Sequence, residues 1–103
     1  MARFKIEWSL EARKDLIDIL EFYITRNSSA DYSTKLNSKI NKSIRLLSQN
    51  PFLGVKTDDS DIRALITSDY QIIYEIFDKL LLILMIWDCR RDPEDKVIDL
   101  RRK

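Results

Sequence analysis

The sequence predicts a small α+β domain in which two helices pack on an antiparallel sheet, because period-2 alternation at its start gives way to two stripes of helical period. A third observation completes the reading: Leu80 to Trp87 is apolar at every position, as in a strand covered on both faces. The expected order is an N-terminal strand, a two-helix hairpin and a three-stranded antiparallel meander, all in one sheet. At 103 residues the chain has the length of one domain with one core.

Phe4, Ile6 and Trp8 alternate with Arg3, Lys5 and Glu7, the pattern of a strand with one buried face. Ser9 follows as a helix N-cap, and Ala12, Leu16, Ile19, Leu20, Tyr23 and Ile24 form an apolar stripe that Asn27-Ser28-Ser29 ends. A second stripe, Tyr32, Leu36, Ile40, Ile44 and Leu47, runs until Pro51, which disfavours helical geometry in the residue before it. Pro51 to Gly54 and the polar stretch Lys56 to Asp61 read as an exposed, mobile loop. The only glycine sits there, where unusual backbone angles cost least.

Three strands follow, Ile62 to Thr67, Tyr70 to Phe77 and Leu80 to Trp87, joined at Ser68-Asp69 and Asp78-Lys79. Links this short make neighbouring strands antiparallel. After Pro93, Val97, Ile98 and Leu100 are mixed with charges, and a short helix, an added strand or a loose tail all fit residues 94–103. The whole of residues 1–103 reads as a single domain.

The chain has no histidine, one cysteine and one glycine. Histidine-based proton transfer, Ser-His-Asp triads, zinc sites and glycine-rich phosphate loops are thereby excluded, and no cofactor or metal is expected. Cys89 cannot form an internal disulfide, which fits a reducing compartment and points to the cytoplasm. The longest apolar run is too short to cross a bilayer as a helix, so no membrane association is expected.

Net charge is near balance, with 18 Lys and Arg against 17 Asp and Glu. The distribution is uneven. Glu11, Asp15, Asp18 and Glu21 lie on the first helix, whereas Lys35, Lys39, Lys42, Arg45 and Lys56 fall in a stretch without acids. Cations also stand at the strand ends. Arg63 alternates with Ile62 and Ala64, and Arg90 and Arg91 follow the last strand. If the flanking strands bring them to one concave face, they offer planar, bidentate donors to a phosphate. Alternatively Arg63 pairs with Asp69, Glu75 or Asp88, and Arg90 with Asp92 or Glu94. Tyr23, Tyr32, Tyr70 and Tyr74 read as core residues, as do Trp8 and Trp87 at the core or its edge. Cys89 is either structural or, beside two arginines, a reactive thiol.

Several segments, taken in order, resemble one family. They are Trp8-Ser9 with Ala12 and Asp15-Leu16, Asn50-Pro51-Phe52-Leu53-Gly54, Ile62-Arg63-Ala64-Leu65, Tyr70-Gln71-Ile72-Ile73-Tyr74-Glu75-Ile76, and Ile86 through Pro93. Together they look like the RelE/ParE superfamily of toxins of bacterial type II toxin-antitoxin systems, and the likeness runs from Phe4 to about Pro93.

The resemblance implies a growth-blocking toxin neutralised by a small cognate antitoxin, as a homodimer or a toxin-antitoxin heterotetramer. Its RelE-like members are ribosome-dependent, metal-independent mRNA endonucleases, and its ParE-like members inhibit DNA gyrase. Arg63 matches the strand arginine that nuclease members use on the phosphate, Arg90 falls near their fourth-strand arginine, and Lys56, in the loop where RelE places basic residues, is the best remaining candidate for proton transfer. These three are the candidate site. Many nuclease members have a His or Tyr at or after the last strand, whereas here no tyrosine follows Tyr74. The expectation is therefore a ParE-like gyrase inhibitor, with an mRNA endonuclease and a non-toxic antitoxin-binding remnant as alternatives.

Overall fold

Ser9 closes the first strand and opens the first helix with one side chain. In the computed structural model, which describes residues 3–58 and 61–91, its hydroxyl accepts a hydrogen bond from the Ala12 amide at 3.0 Å. That is the N-cap the sequence announces, since a serine oxygen satisfies an amide that the first turn leaves unpaired. Strand β1 (Lys5–Trp8) thus leads directly into α1 (Leu10–Asn27). A left-handed residue, Ser28, ends α1, and α2 (Asp31–Gln49) returns.

The sequence places the helix boundaries well but misassigns one position of the second stripe. Tyr32 is 40% exposed, and Ser33 takes the inner position instead, donating to the Leu20 carbonyl at 2.7 Å. A small hydroxyl at the crossing lets the two helices approach, and the bond satisfies its polarity. Ile24 is likewise 41% exposed, so the stripe of α1 ends at Tyr23.

The chain then reaches the far edge of the sheet and works back. Val55–Lys56 is a short strand, β2, where the sequence reading has a loop. It pairs antiparallel with β3 (Ile62–Thr67), which pairs with β4 (Tyr70–Phe77), which pairs with β5 (Leu80–Asp88). The order is β1-β5-β4-β3-β2. The sheet is therefore five-stranded and mixed rather than wholly antiparallel, because β1 lies parallel to β5. A strand reached only after a two-helix crossover is free of the hairpin constraint that forces reversal.

The hairpins turn at Ser68 and Asp78, both in the left-handed region. The one glycine is not at a positive φ. Its role lies elsewhere, in the space a side chain would need.

One face of the sheet carries Tyr70, Ile72, Tyr74, Leu81, Ile83 and Ile86 against the helices. The other carries Ile62, Ile73, Leu82, Leu84, Met85 and Trp87. Leu81 through Trp87 are all at most 5% exposed, as expected of a strand covered on both sides. The alternation breaks once. Ile73 pairs with Met85 but Tyr74 pairs with Ile83, so Leu84 is an extra residue in β5, a bulge. Leu84 and Met85 therefore share a face, and Ile86 and Asp88 move to the helix side. Residues 94–103, where three conformations were open, lie outside the described residues.

Ser9 also donates its hydroxyl to the Leu84 carbonyl at 3.3 Å and its amide to the Ile83 carbonyl at 2.9 Å. Ser9→Ala removes the cap and the bond to the bulge, and is expected to destabilise the fold by about 1–2 kcal/mol in urea unfolding. A smaller loss would show that water replaces both.

Candidate functional site

Two cationic groups stand on the helix-covered face, one beside the start of β4 and the other beside its middle. Lys56 pairs with Arg63 across β2 and β3, and Arg63 pairs with Tyr74 across β3 and β4. Directly opposed side chains lie roughly 5 Å apart at Cβ, so Lys56 and Arg63 put two positive charges abreast, normally an unfavourable pairing. The exposure of Lys56 softens the repulsion, and the Arg63 guanidinium is turned into the segment Pro51 to Gly54.

There Arg63 Nη1 donates to the Gly54 carbonyl at 2.8 Å and, more weakly, to the Phe52 carbonyl at 3.3 Å. The Phe52 ring covers the guanidinium at 5.0 Å from its centroid. Nε is buried without a hydrogen-bond partner. The bonds Arg63 makes thus go to carbonyls rather than to Asp69, Glu75 or Asp88, and the cation keeps its full charge.

Tyr74 holds that segment. Its hydroxyl donates to the Pro51 carbonyl at 2.7 Å and accepts from the Gly54 amide at 3.0 Å. A Cβ on Gly54 would stand 2.6 Å from the Tyr74 hydroxyl and 3.0 Å from the Ala64 carbonyl. Glycine is required here by close approach, not by backbone angle. Burial pushes the Tyr74 phenol above its ordinary pKa, against the pull of the Gly54 amide and the Arg63 charge.

Arg90 is held differently. Nε donates to Asp88 Oδ1 and Nη2 to Asp88 Oδ2, both at 2.9 Å, a bidentate pair between residues two apart. The Arg90 amide caps the same carboxylate at 2.9 Å. The partner is therefore Asp88; the anticipated Asp92 and Glu94 lie outside the described residues. Nη2 also donates to the Tyr23 hydroxyl at 3.0 Å, and Tyr70 donates to that same oxygen at 3.4 Å. Arg91 lies over the Trp87 ring at 4.5 Å.

This second group borders a cleft of about 300 Å³ walled by Asp15, Asp18 and Phe22 of α1 and floored by Ile86. Asp15 Oδ2 accepts from the Ile86 amide at 3.1 Å. Arg90 holds Asp88 below the usual carboxylate range, and its hydrogen bond, with that of Tyr70, draws the Tyr23 phenol down. Burial, then the bond to Tyr23, drives Tyr70 the other way. The two shifts are one event, since an anion on the shared oxygen of Tyr23 is favoured and a second on Tyr70 is not.

The structure brings Lys56 and Arg63 together and keeps Arg90 apart. Tyr74 and Tyr70, their respective neighbours, are four residues apart along β4, roughly 13 Å. A single phosphate cannot bridge both arginines. Tyr23, Tyr70 and Asp15 complete the Arg90 group, yet in the sequence the two tyrosines read as core and Asp15 only as one of the acids of the first helix. Their sequence separation from Arg90 leaves no local signal. Cys89 is exposed. Among the described residues no cluster of His, Cys, Asp or Glu is placed to hold a metal.

Compared with known proteins, residues 6–93 match the model of a family described as the ParE toxin of type II toxin-antitoxin system, parDE. No curated protein sequence matches the chain. Among solved structures, the chromosomal ParDE toxin-antitoxin system from P. aeruginosa aligns with a TM-score of 0.73 at 20% identity, covering 85% of this chain and 98% of that one. The YoeB dimer from Staphylococcus aureus aligns with a TM-score of 0.56 at 20% identity, covering 84% and 97%. At such identity the likeness of the structures is one of fold.

The phenol shifts have a direct spectroscopic reading. In an alkaline titration followed by phenolate absorbance, Tyr23 is expected to ionise below the ordinary value of 10.0. Tyr70 and Tyr74 ionise only above it. Because their folded pKa values are raised, the stability they contribute is complete below pH 10.0 and is lost as pH climbs toward those values. Tyr23→Phe should abolish the early step. An early step that survives the change would dissociate it from Arg90.

Proposed function

The chain belongs to the ParE toxin family of type II toxin-antitoxin systems, and from that premise we propose that it blocks growth by inhibiting DNA gyrase until a cognate antitoxin neutralises it. The supporting observation is the surroundings of Arg63. Cutting RNA without a metal requires a base for the 2′-hydroxyl and an acid for the leaving oxygen. Around this guanidinium stand two carbonyls, a phenyl ring and a buried phenol engaged at both its donor and acceptor positions. Lys56, abreast of it, adds a second cation, and the set is suited to binding more than to moving protons. With no histidine in the chain, a gyrase-binding role for Arg63 and Lys56 fits the residues better than catalysis.

One observation favours a second reading, an mRNA endonuclease acting on translating ribosomes. The Tyr23 phenol accepts a hydrogen bond from Arg90 and is drawn below its ordinary pKa, which suits it to exchange a proton beside a cation. In that reading Arg90 bears phosphate charge and Tyr23 replaces Lys56 as the proton carrier.

The antitoxin completes the proposal. Lys35, Lys39, Lys42 and Arg45 are all exposed on α2, a surface suited to a short acidic partner covering on the order of 2,000 Å². We place the complex in the cytoplasm, as a toxin homodimer or a toxin-antitoxin heterotetramer. No helix among the described residues is long and apolar enough to cross a membrane.

Purified protein is expected to block gyrase supercoiling, with Arg63→Ala weakening it about tenfold or more, the value of one charged hydrogen bond. Primer extension on mRNA from expressing cells should then show no cuts within codons. Codon-phased cuts that vanish with Tyr23→Phe would instead establish the nuclease, and normal growth on induction without antitoxin would identify an inert remnant. Charge reversal at Lys35, Lys39 and Lys42 to Glu should weaken antitoxin binding by at least about tenfold in calorimetry; unchanged affinity would leave α2 a merely solvated face.

A further inference from the structure

A partly exposed arginine ordinarily samples many rotamers, and ordering it costs conformational entropy. Arg63 is tied down at its guanidinium. Both carbonyls that receive its Nη1 belong to the segment Pro51 to Gly54, and both ends of that segment meet one atom, the Tyr74 hydroxyl. Tyr74 is fully buried and Gly54 fits against it with no room for a side chain. Remove the hydroxyl and the Pro51 carbonyl and Gly54 amide both lose their partner, while the ring still fills the core.

We propose that Tyr74 is a positioning residue for Arg63: through one hydroxyl it fixes the Pro51 to Gly54 segment, whose carbonyls and Phe52 ring hold the guanidinium in a single orientation for the toxin's target. The inference rests on the reading above that Arg63 meets that target. Three features of the segment point the same way. Nε is left buried and unpartnered, a desolvated donor that costs free energy unless something else is gained by holding it there. The Arg63 charge is not neutralised by its partners, which are carbonyls. Phe52 and Leu53, at 61% and 46% exposure, are displayed beside it by the same two hydrogen bonds. A fixed arginine flanked by exposed apolar side chains is the usual make-up of an anchor for a protein partner, which supports a protein target over an RNA strand.

The test compares Tyr74→Phe with Thr67→Val in the intact chain. Thr67 is another buried hydroxyl of this sheet, bonded to Ser43 at 2.9 Å and remote from the segment, so it controls for general loss of stability. The readouts are toxicity on induction, gyrase inhibition, and exchange of the Arg63 Nε proton in nitrogen-edited NMR spectra. Tyr74→Phe is expected to lower inhibition about tenfold or more, toward Arg63→Ala, and to speed Nε proton exchange by a similar factor. Thr67→Val should change neither. Full inhibition by Tyr74→Phe with a still protected Nε proton overturns the proposal, as does a Thr67→Val variant impaired to the same degree. If Arg63→Ala is itself fully toxic, the reading that Arg63 meets the target falls. The positioning role is then decided by the Nε proton alone: faster exchange in Tyr74→Phe upholds it, and unchanged exchange overturns it.

Discussion

The fold is organised by the need to satisfy the backbone of β5. A strand buried on both faces has no water to bond its amides and carbonyls, and each orphan would cost on the order of 1–3 kcal/mol. β4 satisfies one edge over its length. On the other edge β1 reaches only to the pair Trp8 and Ile83, and α1 supplies the rest. The Ser9 amide and hydroxyl take the Ile83 and Leu84 carbonyls, and Asp15 takes the Ile86 amide. The start of α1 is thereby docked against the strand, and the cleft beside Arg90 exists because the helix must stand there.

Features set by local periodicity were legible in the sequence; features set by pairing were not. The apolar run of β5, the stripe of α2 from Leu36 to Leu47 and the Ser9 cap each depend on residues within one or two turns, and each is found where expected. β2 is two residues long and has no period to detect; it is a strand only because Ala64 and Arg63 lie opposite. The direction of β1 relative to β5 is likewise not written in either strand. For the site, Lys56 and Arg63 were named, but their adjacency follows from register. The clasp of Arg90 on Tyr23 spans 67 residues of chain, and the sequence reading saw only a core tyrosine. Gly54 suggests backbone freedom in the sequence, whereas in the fold it answers to the volume taken by Tyr74.

The two arginines differ in what neutralises them. Arg90 sits against a carboxylate with good bidentate geometry, so its field is largely cancelled at a distance and its chief work is to tie the end of β5 to α1 through Tyr23. Arg63 is bonded to neutral carbonyls, with Lys56 abreast, so its hydrogen bonds order the guanidinium without supplying a counter-charge. Ordering without neutralisation is what a binding cation needs, since it removes the entropy of the side chain while leaving the charge for a partner.

The bulge at Leu84 sets the phase of everything after it. Because one extra residue in β5 shifts the alternation, Ile86 and Asp88 face the helices and Arg90 follows them into contact with Tyr23. Pair the same residues without the bulge and every side chain after Leu84 would turn to the opposite face, presenting Cys89 in place of Arg90. A thiol there has no bidentate partner in Asp88 and no cation for the phenol. Exchanges among the leucines and isoleucines of this strand leave that phase untouched, whereas a change that straightens the bulge reverses it, although both leave the hydropathy of the strand the same.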